Sequence, residues 1–275
     1  NDNVIENRFY RIVVSNTGAI TSLIDKTRGN REFARRINNR WINDLGGQEG
    51  SIAIENVGPV SVTLRIISAS PYWHTTRITL VRDSDRIEIQ NLIEENFSEI
   101  MTWGYSFAID NPDVWHEEVG AVIRAKLLPD GGHYSPRNAR YDWLTLNHFA
   151  DLSEPTRGIT LSSADCSFMR RGASSVGFLD VTTPSLAVWA GGRIVNDGLG
   201  LPAQGGDTRF LQRFALRAHD APDTTAAMRF AMEHQNPLVA APVTGNGDRS
   251  PFVLSTLYVE DPNVLVWSFK PAEDL

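Results

Sequence analysis

Alternation with a period of two is the feature that most limits how this chain can fold. Between Arg86 and Ile93, Ile87 and Ile89 fall on one face of an extended strand and Glu88 and Gln90 on the other. Thr75 to Val81 alternates in the same way, and Asp83-Ser84-Asp85 between the two segments reads as a turn. The pair is therefore a hairpin with one apolar and one wet face. Val60 to Ile66 repeats the pattern. Phe9 to Val14 and Ala19 to Ile24 flank Ser15-Asn16-Thr17-Gly18, where Gly18 supplies the positive φ of a turn, and Asp25 to Gly29 makes the next turn. Further strands are expected at 107–109, 119–127, 176–179, 185–189, 210–216, 252–259 and 264–269. Asp223 to Glu233 is the one helix expected, with Asp223 as its cap and Ala226, Ala227 and Phe230 at helical spacing. Residues 34–50 are polar and Gly-rich and read as a long surface connection, with Trp41 placed to pin it to a sheet. Residues 191–206 hold six glycines and read as a loop. No period of 20–50 residues recurs, which excludes a propeller or solenoid. The expected class is all-β, a large two-layer antiparallel β-supersandwich with one short helix.

Composition narrows the partners. The chain has 275 residues, 41% of them hydrophobic, which is enough for a substantial core. Its net charge is −7 and no Lys/Arg cluster dominates a segment, so nucleic acid is not an expected partner. No apolar run is long enough to span a bilayer, so no membrane partner is expected. Asn1-Asp2-Asn3 is not a signal peptide and lacks an initiator Met, so the chain is expected to be an internal piece of something longer. The single Cys166 excludes an intrachain disulfide.

Several polar clusters carry two readings each. In the stretch from Arg140 to Arg171, two β-prone segments joined by Ser/Glu/Pro/Arg/Gly read as an antiparallel pair. Trp143 and Phe149 belong to a sheet core there, while Asp142, Asn147, His148 and Asp151 can face a ligand. Trp115-His116-Glu117-Glu118 has the imidazole and carboxylates an acid–base isomerase needs, or it is simply a strand before Gly120. Tyr72-Trp73-His74 can stack on a sugar or cap a strand. Glu94-Glu95 are adjacent, so on a strand they point to opposite faces and make no carboxylate pair. Arg35-Arg36 and Arg170-Arg171 read as solvated pairs.

Three passages resemble one family. Ile5, Glu6, Asn7, Phe9, Tyr10, Arg11, Gly18, Ile20, Ser22, Leu23, Asp25 and Lys26 keep the order of an opening hairpin. Asp151, Leu152, Ser153, Gly158, Thr160, Leu161, Ser162 and Asp165 fit a central passage, and Pro262, Asn263, Val264, Lys270, Pro271, Ala272, Glu273 and Asp274 a closing one. Together they resemble the C-terminal β-domain of the glycoside hydrolase family 38 α-mannosidases. The resemblance implies a galactose mutarotase-like supersandwich spanning 1–275, truncated before its last strands and lacking the catalytic α/β domain.

In that family, the resemblance implies, a retaining carboxylate pair and a Zn²⁺ held by His and Asp belong to the N-terminal catalytic domain. This chain has no His-x-Asp passage, so no catalytic residue, metal ligand or cofactor is assigned within it, and zinc is expected only in the catalytic domain. The expected partners are that domain and a mannose-containing glycan. The family lends a loop to the pocket rim just before the strand that here contains Phe214-Ala215-Leu216. The Gly-Glu-His found there in many members is replaced by Gly205-Gly206-Asp207, leaving Asp207 and Arg209 as substrate-rim candidates beside a plain surface role. The alternatives are a free-standing carbohydrate-binding module and a mutarotase-like sugar isomerase.

Overall fold

The computed structural model describes residues 3–194, 200–201, 204–239, 242 and 257–267. In chain order the strands are β1 (Val4–Glu6), β2 (Tyr10–Val14), β3 (Ile20–Asp25), β4 (Arg31–Glu32), β5 (Ser51–Val57), β6 (Ser61–Ser68), β7 (His74–Val81), β8 (Ile87–Ile93) and β9 (Met101–Ser106). There follow β10 (Asp113–Glu118), β11 (Ala121–Arg124), β12 (Leu144–Thr145), β13 (Phe149–Glu154), β14 (Arg157–Ser163), β15 (Phe168–Arg171), β16 (Ser185–Gly191) and β17 (Phe210–His219). One helix, α1 (Thr224–Gln235), is present among the described residues.

All strand pairing is antiparallel. A nine-stranded sheet runs β11-β10-β13-β14-β17-β8-β7-β6-β5, and two four-stranded sheets run β1-β2-β3-β4 and β12-β15-β16-β9. Both small sheets pack on one face of the large one. Ile12 and Leu23, Ile78 and Phe214, and Trp103 and Val188, drawn from the three sheets, share one buried core. Across the layers, Tyr105 meets Phe214 edge-on at 5.4 Å, and the Ala218 N–H donates to the Tyr10 hydroxyl at 3.1 Å. Helix α1 covers part of the opposite face, where Ala227, Met228 and Ala231 bury against Phe149. Asp223 caps it as expected, accepting from the Ala226 N–H at 2.9 Å. The expected all-β sandwich with one short helix is the architecture observed.

The β7–β8 hairpin follows its pattern, with Ile87 and Ile89 buried and Glu88 and Gln90 half-buried. The central antiparallel pair is β13–β14, closed by Glu154 opposite Arg157. Five expectations need correction, one of them at Arg171, which is not solvated but fully buried, its guanidinium donating to Ala125 O, Pro112 O and Val181 O. Residues 34–50 are only partly a surface connection: Arg35, Arg36, Asn38, Asn39, Gly46, Gln48 and Glu49 are exposed, but Ala34, Ile42, Asn43, Asp44 and Leu45 are buried. Their polar groups are satisfied inside, so polarity did not keep them out of the core. Asn43 and Asn91 exchange amide hydrogen bonds at 3.2 and 2.7 Å, and the Asp44 carboxylate accepts from the N–H groups of Trp41 and Gly46 at 3.0 and 2.7 Å. Trp41 does pack on the core. Near the expected strand 107–109, the strand is β9, lying just before it and buried over most of its length, which hides the alternation. Residues 176–179 form a turn bridged between Ser175 and Phe178 rather than a strand. No strand forms at 257–259 or 264–267, and the remainder of both expected C-terminal strands lies outside the described residues.

The Asn43–Asn91 pair gives a direct test. Asn91 also accepts from the Thr76 hydroxyl at 2.8 Å, and Asn43 donates to Gly18 O at 3.3 Å. Asn91→Leu strands the buried Asn43 amide and the Thr76 hydroxyl, and is expected to lower stability by roughly 2–4 kcal/mol. Urea denaturation measures it, and a loss below about 0.5 kcal/mol would mean that the amide pair is not a structural requirement.

Candidate functional site

Most polar residues that stood out in the sequence turn out to be committed to the fold. Asp151 is buried on β13, accepts from the hydroxyls of Ser153 and Thr160 (2.7 Å for Thr160), and lies 2.7 Å from His219 Nε2. A Cβ at Gly158 would meet His219 Cε1 at 2.3 Å, so glycine is what lets the imidazole reach Asp151. The central family-like passage is thus one packing unit. Ser162 Oγ lies 2.9 Å from His234 Nδ1 of α1, and Asp165 holds the Arg213 guanidinium at 2.9 and 2.7 Å. Asp142 is paired with Arg140 at 2.8 and 2.6 Å.

The residues from 115 to 118 split across β10. His116 faces the core side, with Nδ1 2.8 Å from Thr145 O and Nε2 3.1 Å from the Tyr134 hydroxyl. That hydroxyl also lies 3.1 Å from Glu118 Oε2, so its one proton serves one acceptor at a time. Glu117 points the other way and lies 2.8 Å from His148 Nδ1, with the His148 ring edge-on to Trp267 at 4.7 Å. A cavity of about 220 Å³ adjoins Glu117, Met228 and Trp267. Imidazole and carboxylate bond each other there, with no room between them for a sugar ring. Tyr72 stacks on Phe97 at 4.9 Å, and His74 opens β7 with Nδ1 2.7 Å from Tyr72 O.

Asp207 and Arg209 differ from all of these. Both lie exposed on the loop before β17 and line one cavity of about 380 Å³, together with Trp189, Gln204, Phe210 and Gln212. Neither side chain is held by an ion pair among the described residues. The backbone of the loop is anchored: Asp207 N–H donates to Gln204 O at 3.1 Å, and Asn96 Nδ2 donates to Asp207 O at 2.6 Å. Gln204 in turn accepts from Gly192 N–H and donates to Phe97 O. A fixed backbone thus carries two unspent charged groups of opposite sign at a cavity mouth. Trp189, which forms a wall, was not singled out from the sequence. Its one signal was its place in a short expected strand, where an aromatic reads as core. Among the described residues, no group of three or more His, Cys, Asp or Glu is disposed to hold a metal ion.

The fold and this cavity define an antiparallel β-sandwich with a loop-rimmed pocket beside the second small sheet. Among solved structures, an alpha-mannosidase from Enterococcus faecalis is similar over 88% of this chain, at TM-score 0.64 and 13% identity. A glycosyl hydrolase family 38 protein from Enterococcus faecalis is similar over 88% of this chain, at TM-score 0.63 and 14% identity. The chain spans about a third of their length, 32% and 33% respectively. A galactose mutarotase related enzyme from Lactobacillus acidophilus aligns with 81% of this chain and 99% of its own, at TM-score 0.45 and 14% identity. No protein-family model matches the chain, and no curated protein matches it.

Burial sets a pH dependence. It pushes the imidazoles of His116 and His234 down to about 4, helped at His116 by Arg171 and at His234 by Arg86 and Arg213. Both are below the ordinary value near 6.5, so the unfolded chain binds more protons between those limits. Their contribution is fully present above about pH 6.5 and is lost as pH falls towards 4. Between pH 7 and 5 each is expected to remove about 2 kcal/mol. His116→Gln should flatten the pH dependence of the urea midpoint, leaving the parts due to His234 and to His74, whose imidazole burial also pushes down. An unchanged slope in that variant would mean that His116 is not buried neutral.

Proposed function

We propose that this chain is the β-domain of an α-mannosidase-like glycoside hydrolase. It supports a separate catalytic domain and offers the Asp207–Arg209 loop to the rim of that domain's mannoside pocket. The observation that carries the reading is the fold likeness, which covers 88% of this chain but 32% of an alpha-mannosidase. The three family-like passages in the sequence support it independently. Under this reading the nucleophile, the acid/base carboxylate and a zinc ion belong to the catalytic domain. The role of this domain is to hold a rigid loop. Asp207 accepts from sugar hydroxyls and Arg209 donates to them. A cavity lined by this chain's own residues also favours a second reading, a module that binds saccharide by itself.

The isomerase reading is not favoured. It needs an imidazole and a carboxylate on opposite sides of one open site, whereas His116 is fully buried and Glu117 is bonded to His148.

The test is aryl α-mannoside turnover by the native gene product, with and without zinc. Turnover is expected from the product bearing a catalytic domain, and none from the 275-residue chain alone. In the active product, Asp207→Ala and Arg209→Ala should each lower kcat/KM about tenfold, or ~1.4 kcal/mol, and shift Tm by less than about 1 °C. Zinc-dependent turnover by the isolated chain, abolished by substituting one of its own residues, would overturn the reading. Unchanged kinetics in both variants would remove the loop from the rim.

A further inference from the structure

The second small sheet turns Met169 and Val188 into the core, while Phe168, Arg170 and Trp189 occupy its half-buried outer positions. Phe168 and Trp189 meet edge-to-face at 6.1 Å, which fixes the indole plane. Val188 and Ala190 already supply the inward packing of this strand, so the core does not require a large ring at Trp189. That ring is instead a wall of the cavity of about 380 Å³ with Asp207 and Arg209 at its mouth.

The remaining lining offers few free polar groups. Gln212 accepts from Trp103 Nε1–H and donates to Ala190 O, Gln204 is committed to Gly192 and Phe97, and Asp165 is neutralised by Arg213. What the cavity presents is the Trp189 and Phe210 rings, the exposed Ser167, one carboxylate and one guanidinium.

We propose that this cavity binds one pyranose ring of a neutral saccharide, stacked on the Trp189 indole, with its hydroxyls bridged by Asp207 and Arg209. A pyranose has an apolar C–H face that suits an indole and adjacent hydroxyls that suit a carboxylate and a guanidinium. The two opposite charges at the mouth cancel, which favours a neutral ligand over a phosphate or a uronate. The volume lies in the range of small-molecule sites of about 300–1,000 Å³. The wall at Gly191 is tightly packed: a Cβ there would meet Gln204 Oε1 at 2.5 Å and Phe97 Cζ at 2.7 Å, so backbone and side chains already touch.

The choice of mannose as the probe rests on the proposed function; the placement of the ring does not. A larger cavity of about 450 Å³ between β1 and the β5–β6 turn lacks such a face. Its Asn7 is spent on Val81 O, Ser84 O and the N–H groups of Phe9 and Tyr10, its Glu6 on Lys26, and its Arg8 on Asp83.

Calorimetric titration of the protein with α-mannobiose and with methyl α-mannoside tests the assignment, with glucuronate as the charged control. Saturable binding of the neutral sugars in the millimolar range is expected. Trp189→Phe should keep the affinity within about threefold, while Trp189→Ala, Asp207→Ala and Arg209→Ala should each weaken it about tenfold or more. Asp207 and Arg209 are exposed, so their variants remain informative should Trp189→Ala fail to fold. Absence of saturable binding, affinity indifferent to all three alanine variants, or tighter binding of glucuronate would each overturn the proposal. Saccharide binding by a native product with no mannosidase activity would overturn the proposed function and leave the cavity assignment standing. Mannosidase activity with no binding at this cavity would do the reverse.

Discussion

The two layers of this sandwich meet at a buried amide pair. Asn43 and Asn91 exchange hydrogen bonds; Asn91 also takes the Thr76 hydroxyl, while Asn43 reaches Gly18 O and accepts from the Tyr105 hydroxyl at 3.3 Å. Asn91 and Thr76 belong to the large sheet, Tyr105 to the second small sheet, and Gly18 to the β2–β3 turn of the first. One polar node therefore touches all three sheets. Hydrophobic burial drives the layers together without direction, whereas paired amides hold only in one register. Slipping any sheet leaves an amide buried and unpaired, at a cost of about 1–3 kcal/mol per group.

That node also explains which parts of the fold were legible in the sequence. Strands with one wet face announce themselves, as in β7 and β8. The segment carrying Asn43 and Asp44 was mistaken for surface because its polarity is satisfied internally, and a composition pattern cannot distinguish the two cases. β9 is mostly buried and has no alternation to read, while β5 is an edge strand exposed over most of its length and has none either. The family-like residues were visible for a different reason. Asp151, the hydroxyls of Ser153 and Thr160 and the glycine at 158 make one packed cluster, so their order in the sequence records it.

The candidate site was legible only in part. Asp207 and Arg209 were picked out only through the family resemblance, which implies a rim loop just before the strand carrying Phe214, and their side chains line the cavity without an ion pair among the described residues. Trp189 was hidden because an aromatic in a β-prone run is ordinarily core, and only the sheet's orientation shows which way it faces. His116 and Glu117 illustrate the opposite error that pattern invites. They are chemically rich neighbours in sequence, but adjacent strand residues point apart, so one joins the core and the other pairs with His148.

Spent and unspent polar groups are therefore separated in space, and this bears on how the fold tolerates change. The amide node and the Asp151 cluster constrain residue type strongly yet occupy few positions, whereas the apolar faces, which take up much of the chain, demand hydrophobicity more than identity. The loop from Gln204 to Arg209 is held through its backbone and through Gln204, leaving the side chains of Asp207 and Arg209 free of structural duty. Substitution there costs the core little, because surface side chains without partners contribute within about 0.5 kcal/mol of nothing. Such a division accounts for a fold shared at TM-score 0.64 with 13% identity. The sandwich is specified by its alternation, its apolar faces and a few polar nodes, so its rim is where sequence is free to vary.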